Sequence, residues 1–193
     1  MLTRFEALKI AKDLAKEGLT VNINSSQELV NGWYFPWEPI KKGELWGGSH
    51  GVIINKESGK WLQLGSAFPI ERDLQAYEDG FTEAFYDLRI LSIQGHNQTL
   101  DFLQKLHIEV VEPEWKYGTE WLIPRLLDRN ELSCLLMTLP RTFRNVWIYG
   151  SIEVVQVARQ SRYCEFELIP IEIEENGPAH LTWLKRFCLN KGD

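Results

Sequence analysis

The chain has 193 residues, of which 44% are hydrophobic and 25% are charged, and its formal net charge is −6. This composition is typical of a globular protein, long enough for one domain or two small ones, and it excludes a disordered chain. The acidic balance argues against nucleic acid as a direct partner, and no apolar run approaches the roughly 20 residues that cross a bilayer. Because the N-terminus also lacks the apolar core of a signal peptide, we expect a cytoplasmic protein with no membrane partner.

Hydrophobic periodicity and turn residues predict helices and strands throughout the first half of the chain. Thr3 and Glu6 form a capping box at the start of the first helix, and Gly18 ends it. Pro36 would restrict the aromatic strand around it to a sheet edge, a strand end or a bulge. In chain order, the predicted elements are a helix over 4–17, strands over 19–24 and 33–37, a hairpin of 52–54 and 61–64, a helix from Pro69 to near Gly80, and a strand over 85–93.

In the second half, the glycine-bearing segment 95–98 is the expected internal boundary. The predicted elements after it are helices over 99–106 and 119–129, a strand over 144–157 in a hairpin with a strand over 163–173, a bulge near Ile169-Pro170, and a helix over 178–188. We therefore predict an α+β protein, mainly antiparallel sheet, with an N-terminal helix, central helices and a short C-terminal helix. Residues 1–94 would form one α+β module, and residues 95–193 a second region, either separate from the first or continuous with it.

No pattern of residues predicts an active site, a metal site or a cofactor site. Cys134, Cys164 and Cys188 are widely spaced among apolar neighbours, as buried, unreactive thiols are. None of the histidines lies at metal-ligand spacing from another. His50 follows a serine, but neighbouring strand residues point to opposite faces, and the glycines near it serve a turn rather than a phosphate loop. We expect no catalytic residue, no metal and no cofactor.

Two groups of residues are candidates for contact with a partner protein. Core packing explains most of the tryptophans, but Trp37 and Trp46 lie in loop-like segments, with Trp115 and Trp121 as second choices. A row of glutamates forms either a solvated strand face or an acidic ledge that would steer a basic partner. The candidate contact residues are Trp37, Trp46, Glu165, Glu167, Glu172 and Glu174.

The first half of the chain resembles a known bacterial family in the order of its elements. A helix over 7–15 leads into Gly32-Trp33-Tyr34-Phe35, a segment over 45–51, a hairpin with Lys56-Glu57-Ser58-Gly59-Lys60, and a helix with Leu74-Gln75-Ala76-Tyr77. Over residues 5–82 this order is similar to that of the immunity protein 35 group of polymorphic-toxin immunity proteins. The resemblance implies a cytosolic, non-enzymatic protein that binds and neutralises a cognate toxin.

The mechanism that the resemblance implies is occlusion of the toxin's active site. Because the contact residues of such proteins vary, the resemblance assigns no site residue. An acidic protein suits a basic toxin domain, such as a nuclease. The alternatives are another interaction or scaffold protein, of phage or mobile-element type, and an uncatalogued hydrolase, for which spacing favours no pair of carboxylates.

Overall fold

The computed structural model describes residues 1–41, 43 and 48–171, and the chain divides into two units between Thr82 and Glu83. The first unit contains α1 (Arg4–Leu14), β1 (Leu19–Val21), a 3-10 turn (Ile23–Ser25), β2 (Gln27–Glu28), β3 (Gly32–Pro39), β4 (Gly51–Asn55), β5 (Trp61–Leu64) and α2 (Ile70–Glu78). The second contains β6 (Phe85–Ile93), α3 (His96–Lys105), β7 (Glu109–Lys116), β8 (Thr119–Leu126), α4 (Arg129–Leu135), β9 (Arg141–Trp147), a 3-10 turn (Tyr149–Ser151), α5 (Ile152–Ser161) and β10 (Cys164–Pro170).

The predicted fold class is confirmed, because helices are combined with mainly antiparallel sheet and the chain begins with a helix. The capping box of Thr3 and Glu6 is present, although α1 ends at Leu14 rather than at residue 17. The C-terminal helix predicted over 178–188 lies outside the described residues. No helix in the described ranges has the length and apolar content that crossing a membrane requires.

The sheet of the first unit has a helix on each face. Its strand order is β1-β3-β4-β5, β2 also pairs with β3, and all these pairs are antiparallel. Alternate strand residues point to opposite faces, so Phe35 and Ile54 share a buried cluster with Ala11 of α1. On the other face, Ile53 shares a cluster with Tyr77 of α2.

Pro36 lies in the interior of this sheet, at a point where the neighbour of β3 changes. Residues 33–34 pair with β2, residues 37–39 pair with β1, and Pro36 is opposite Gly51 of β4. Its carbonyl accepts a hydrogen bond from the Asn22 N–H at 2.9 Å, on the side of β1 and β2. Because the N and C=O of one strand residue point to the same side, the missing N–H falls in the gap between β2 and β1. The sheet therefore keeps a proline in an interior strand, and β3 is not an edge strand.

The second unit contains a three-stranded antiparallel sheet in the order β10-β6-β9 and a separate hairpin of β7 and β8. Leu88 and Ile90 of β6 are buried, and the ring of Phe102 on α3 lies 5.3 Å from that of Phe166 on β10. Because both partners of β6 come from later in the chain, β6 belongs to this unit. The division therefore lies after Thr82, earlier than the expected boundary after residue 94.

Four predictions for the second unit are wrong. Residues 119–126 form strand β8 rather than a helix. Residues 152–161 form helix α5 rather than a strand, because Ile152, Val155 and Ala158 recur at helical spacing and are buried together despite the β-branched residues between them. β10 pairs with β6 instead of β9, and its register shifts between Glu165 and Phe166 rather than near Ile169-Pro170.

Candidate interaction surface

The hairpin of β7 and β8, here called the ribbon, has no third strand among the described residues. Each strand has 8 residues, and the turn between them consists of Tyr117 and Gly118. Both turn residues have positive φ, 55° and 77°, as a type I′ turn requires. Glycine accepts this conformation without cost, but a tyrosine does so only at the expense of stability. The Tyr117 side chain is 100% exposed, so packing within the described structure does not explain its presence.

The pairing of the ribbon decides which side chains share a face. A two-residue turn is closed by a hydrogen-bonded pair, here Lys116 and Thr119, and the pairs then alternate along the ribbon without a bulge. The side chains of the non-hydrogen-bonded pairs all point to one side, which we call the apolar face. Its pairs are Glu109–Leu126, Val111–Pro124, Pro113–Leu122 and Trp115–Glu120.

Most of the apolar face is open to solvent. Trp115 is 71% exposed, Leu126 is 50% exposed and Leu122 is 39% exposed. The side chains of Pro113 and Pro124 on the same face are exposed as well. Scattered apolar side chains are ordinary on a protein surface, but a contiguous apolar row on one face of a strand pair is typical of an interaction site.

Each outer edge of the ribbon contains a proline. Residues of non-hydrogen-bonded pairs direct their N–H and C=O groups away from the partner strand, toward the outer edge. Pro113 therefore removes a donor from the middle of the β7 edge, and Pro124 removes one from the middle of the β8 edge. A proline at this position protects an edge strand against pairing with another chain. The ribbon thus leaves its apolar face open to solvent, while both of its edges resist the addition of another strand.

Restoring the missing edge donors should cause the ribbon to pair edge to edge. We expect Pro113→Thr or Pro124→Thr alone to shift the chain toward dimers, because each opens one edge, and the double variant to form longer oligomers. Sedimentation velocity over a concentration series measures this, with the unsubstituted chain as the control. If the double variant sediments as the unsubstituted chain does at every concentration, the prolines do not protect the edges.

At the base of the ribbon, an arginine joins β7, β8 and α4. The two Nη atoms of Arg125 donate to the two carboxylate oxygens of Glu131 at 2.8 and 2.5 Å, and Nη2 also donates to Glu112 at 2.7 Å. The Glu131 bonds raise the pKa of Arg125, while the Arg125 guanidinium lowers the pKa of Glu131 to about 2. Beside this cluster lies a cleft of about 290 Å³, on the face of the ribbon opposite the apolar face; its lining residues include Val110, Leu127 and Leu135.

Removing the guanidinium should raise the pKa of Glu131. In Arg125→Met we expect this pKa to move from about 2 toward the ordinary 4.5, staying somewhat below it because the Asp128 N–H still donates to Glu131 at 2.9 Å. Carboxyl ¹³C NMR titration measures it, and Arg129→Met is the control because Arg129 pairs with Asp101 instead. A folded pKa below the unfolded value stabilises the fold above about pH 4.5, and that contribution is lost as the pH falls toward 2. A Glu131 pKa still near 2 in Arg125→Met would contradict this assignment.

Comparison of the chain with family models, with characterised proteins and with solved structures found no match.

The structure does not place the predicted tryptophan contacts on a shared surface. Trp37 lies on β3 rather than in a loop, is only 8% exposed, and packs in the cluster between the sheet and α1. Its Nε1 atom is buried without a hydrogen-bond partner among the described residues. Trp46 lies outside the described residues. The second choices, Trp115 and Trp121, are both exposed on the ribbon, but on opposite faces, since Trp121 pairs with Glu114.

In the described part of the proposed acidic ledge, the charges are not all negative. Glu165 and Glu167 are exposed on β10, as the alternating sequence predicts. Glu167 lies 3.7 Å from Arg89 of β6, and Glu165 accepts a hydrogen bond from Ser92 at 3.2 Å. The Arg89 charge lowers the net negative charge of this strand face, while Glu172 and Glu174 lie outside the described residues.

The two described cysteines differ in burial, and one histidine lies close to a serine hydroxyl. Cys164 is buried, as predicted, and burial raises the pKa of its thiol. The prediction for Cys134 is wrong, because it is exposed on α4, and Cys188 lies outside the described residues. His96 Nε2 lies 3.1 Å from Ser133 Oγ, but His96 is exposed and has no carboxylate partner among the described residues. In the part of the chain that the structure describes, no group of 3 or more histidine, cysteine, aspartate or glutamate side chains is placed to hold a metal ion.

Proposed function

We propose that this chain acts by binding another protein, and that its partner is a bacterial toxin domain that it neutralises by occluding the active site. The observation that carries the binding function is the exposed apolar face of the ribbon, with a fully exposed tyrosine at its tip. Tryptophan and tyrosine supply a large share of binding energy at protein interfaces. The proposal is of a non-enzymatic protein that needs no cofactor and acts in the cytoplasm.

The identity of the partner as a toxin follows from the resemblance to the immunity protein 35 group. The residues that carry the resemblance, 5–82, coincide closely with the first structural unit, which ends at Thr82. The ribbon belongs to the second unit, where the resemblance has no counterpart. We therefore propose a scaffold of family type in the first unit and a partner-binding ribbon in the second, with a basic domain such as a nuclease as the toxin.

Co-expression tests this proposal. The probe is the C-terminal domain encoded by the gene immediately upstream of the gene for this chain. Expressed alone it should arrest growth, and co-expression with this chain should restore growth and yield a copurifying pair. A neighbour that is not toxic, or a toxic one that is neither bound nor neutralised, overturns the toxin assignment for that pair.

Matched variants identify the contact surface in the same assay. We expect Trp115→Ala together with Leu122→Ala to abolish rescue, because truncation of a central interface tryptophan typically costs about 2 kcal/mol or more. Trp61→Ala is the control, since Trp61 is also an exposed strand tryptophan but belongs to the first unit. If growth rescue fails with Trp61→Ala and persists with the ribbon variant, the contact surface lies on the first unit instead.

A further inference from the structure

We infer that the apolar face of the ribbon docks an apolar segment of a partner protein that carries a lysine or arginine, and that this cation sits on Trp115 beside Glu120. The inference rests on the proposed binding function and specifies the chemistry of the partner. It depends on the charges and the pairing of the ribbon, not on the partner being a toxin.

Trp115 and Glu120 form the pair next to the turn on the apolar face. In a non-hydrogen-bonded antiparallel pair the Cβ atoms lie about 4.5–5.5 Å apart, so the two side chains leave the ribbon side by side on the same face. An indole face attracts a cation, and so does a carboxylate. A cation that contacts both is bound more strongly than by either one alone. The methylene stem of a lysine or arginine also covers apolar surface while its charged end remains at the rim.

The charges of the apolar face leave this pair available to a cation from outside. The face contains two acidic side chains, Glu109 and Glu120, and no lysine or arginine. The basic residues of the ribbon lie on the opposite face and are occupied, Lys116 by Glu114 at 3.0 Å and Arg125 by Glu112 and Glu131. Among the described residues, no cation reaches the Glu120 carboxylate, and its charge is therefore complementary to that of a basic segment.

The mode of docking follows from the ribbon edges. A partner strand added to either edge would meet the gap left by Pro113 or Pro124 in the middle of its hydrogen-bond ladder. A partner that lies across the apolar face avoids both prolines and covers Trp115, Leu122 and Leu126 together. Face contact therefore fits the ribbon better than strand addition.

Two synthetic peptides of equal length with the same leucine positions test the partner chemistry, one with lysine and the other with glutamate at its polar positions. Fluorescence anisotropy measures binding of each labelled peptide to the full chain. We expect the leucine–lysine peptide to bind at least about tenfold more tightly than the leucine–glutamate peptide. Trp115→Ala and Glu120→Lys should each weaken its binding about tenfold. Glu120→Lys should in turn improve binding of the leucine–glutamate peptide.

Glu57→Lys is the matched control, because it changes the net charge equally at an exposed hairpin residue of the first unit. If Glu57→Lys weakens binding of the leucine–lysine peptide as much as Glu120→Lys does, the attraction comes from net charge alone and the inference is overturned. Equal binding of both peptides, or binding unchanged by Trp115→Ala, overturns it as well. The toxin assignment fails separately, in the co-expression assay, and the peptide result does not depend on that outcome.

Discussion

Replacement of Gly51 by alanine is expected to lower the free energy of unfolding of the first unit by about 3–5 kcal/mol. Gly51 begins β4 with φ of +133°, a backbone conformation that is essentially restricted to glycine. A Cβ atom at this position would lie 2.3 Å from the carbonyl oxygen of Phe35 and 2.7 Å from Cα of Pro36. Both obstacles are backbone atoms of the neighbouring strand, so a side-chain rotation cannot relieve the overlap.

Two other glycines separate the contributions to this effect. Gly48 has φ of +116°, and a Cβ atom added there would have no neighbour within 4 Å, so Gly48→Ala should cost only the backbone strain, about 1–3 kcal/mol. Gly65 has neither feature, and Gly65→Ala should be nearly neutral. Hydrogen exchange of peptides from the first unit measures the three variants, with peptides from the second unit as an internal reference. Equal protection in Gly51→Ala and Gly65→Ala would contradict the proposed clash.

Loss of the Lys56 ammonium is expected to destabilise the first unit by about 2–4 kcal/mol. The ammonium is buried and donates to the carbonyls of Leu29 and Val30 at 2.5 and 3.2 Å and to Glu28 at 2.9 Å. It also lies 4.8 Å from the centroid of the Trp33 ring. Lys56→Met keeps the stem but leaves these acceptors without their donor, which costs more than the bonds themselves contributed.

The stability losses of two further variants, compared with that of Lys56→Met, show which contacts of the ammonium stabilise the unit. Glu28 is largely exposed, so Glu28→Gln should cost less than Lys56→Met, because the two carbonyls keep their donor. Lys9→Met removes an exposed lysine of α1 and should change stability by no more than about 0.5 kcal/mol. Urea denaturation monitored by hydrogen exchange in the first unit gives all three values. A larger loss in Glu28→Gln than in Lys56→Met would mean that the ion pair, not the carbonyls, dominates.

The first unit could be predicted well from the sequence because its signals are local. The capping box at Thr3, the hairpin around Gly59 and the periodicity of α1 each depend on residues close in the chain. What the sequence did not reveal is the buried state of Lys56, which lies in a hairpin loop and would ordinarily be solvated. Its burial depends on the turn over 28–31, a contact that no local pattern encodes.

The candidate interaction surface was harder to predict for a different reason. The sequence over 119–129 predicted a helix that Pro124 interrupts or begins late. A proline also argues against a strand that has neighbours on both sides. In a two-stranded ribbon every strand is an edge strand, so this objection does not apply. The sequence signal that could have indicated a hairpin was Tyr117-Gly118, which lies between two segments of similar length with one proline each. The sequence did identify Trp115 and Trp121 as contact candidates, but not that they occupy different faces.

The even alternation of β8 also fixes the chemistry of both faces of the ribbon. Because side chains alternate with a period of two, one additional residue in β8 between the turn and Leu122, with the two-residue turn unchanged, would shift the rest of β8 against β7 by one position. Leu122 and Leu126 would then lie on the side opposite Trp115, and neither side would hold a continuous apolar row. The number of residues between the turn and Leu122 is therefore a marker by which related chains could be sorted, whereas a change of turn length alone can leave the faces as they are.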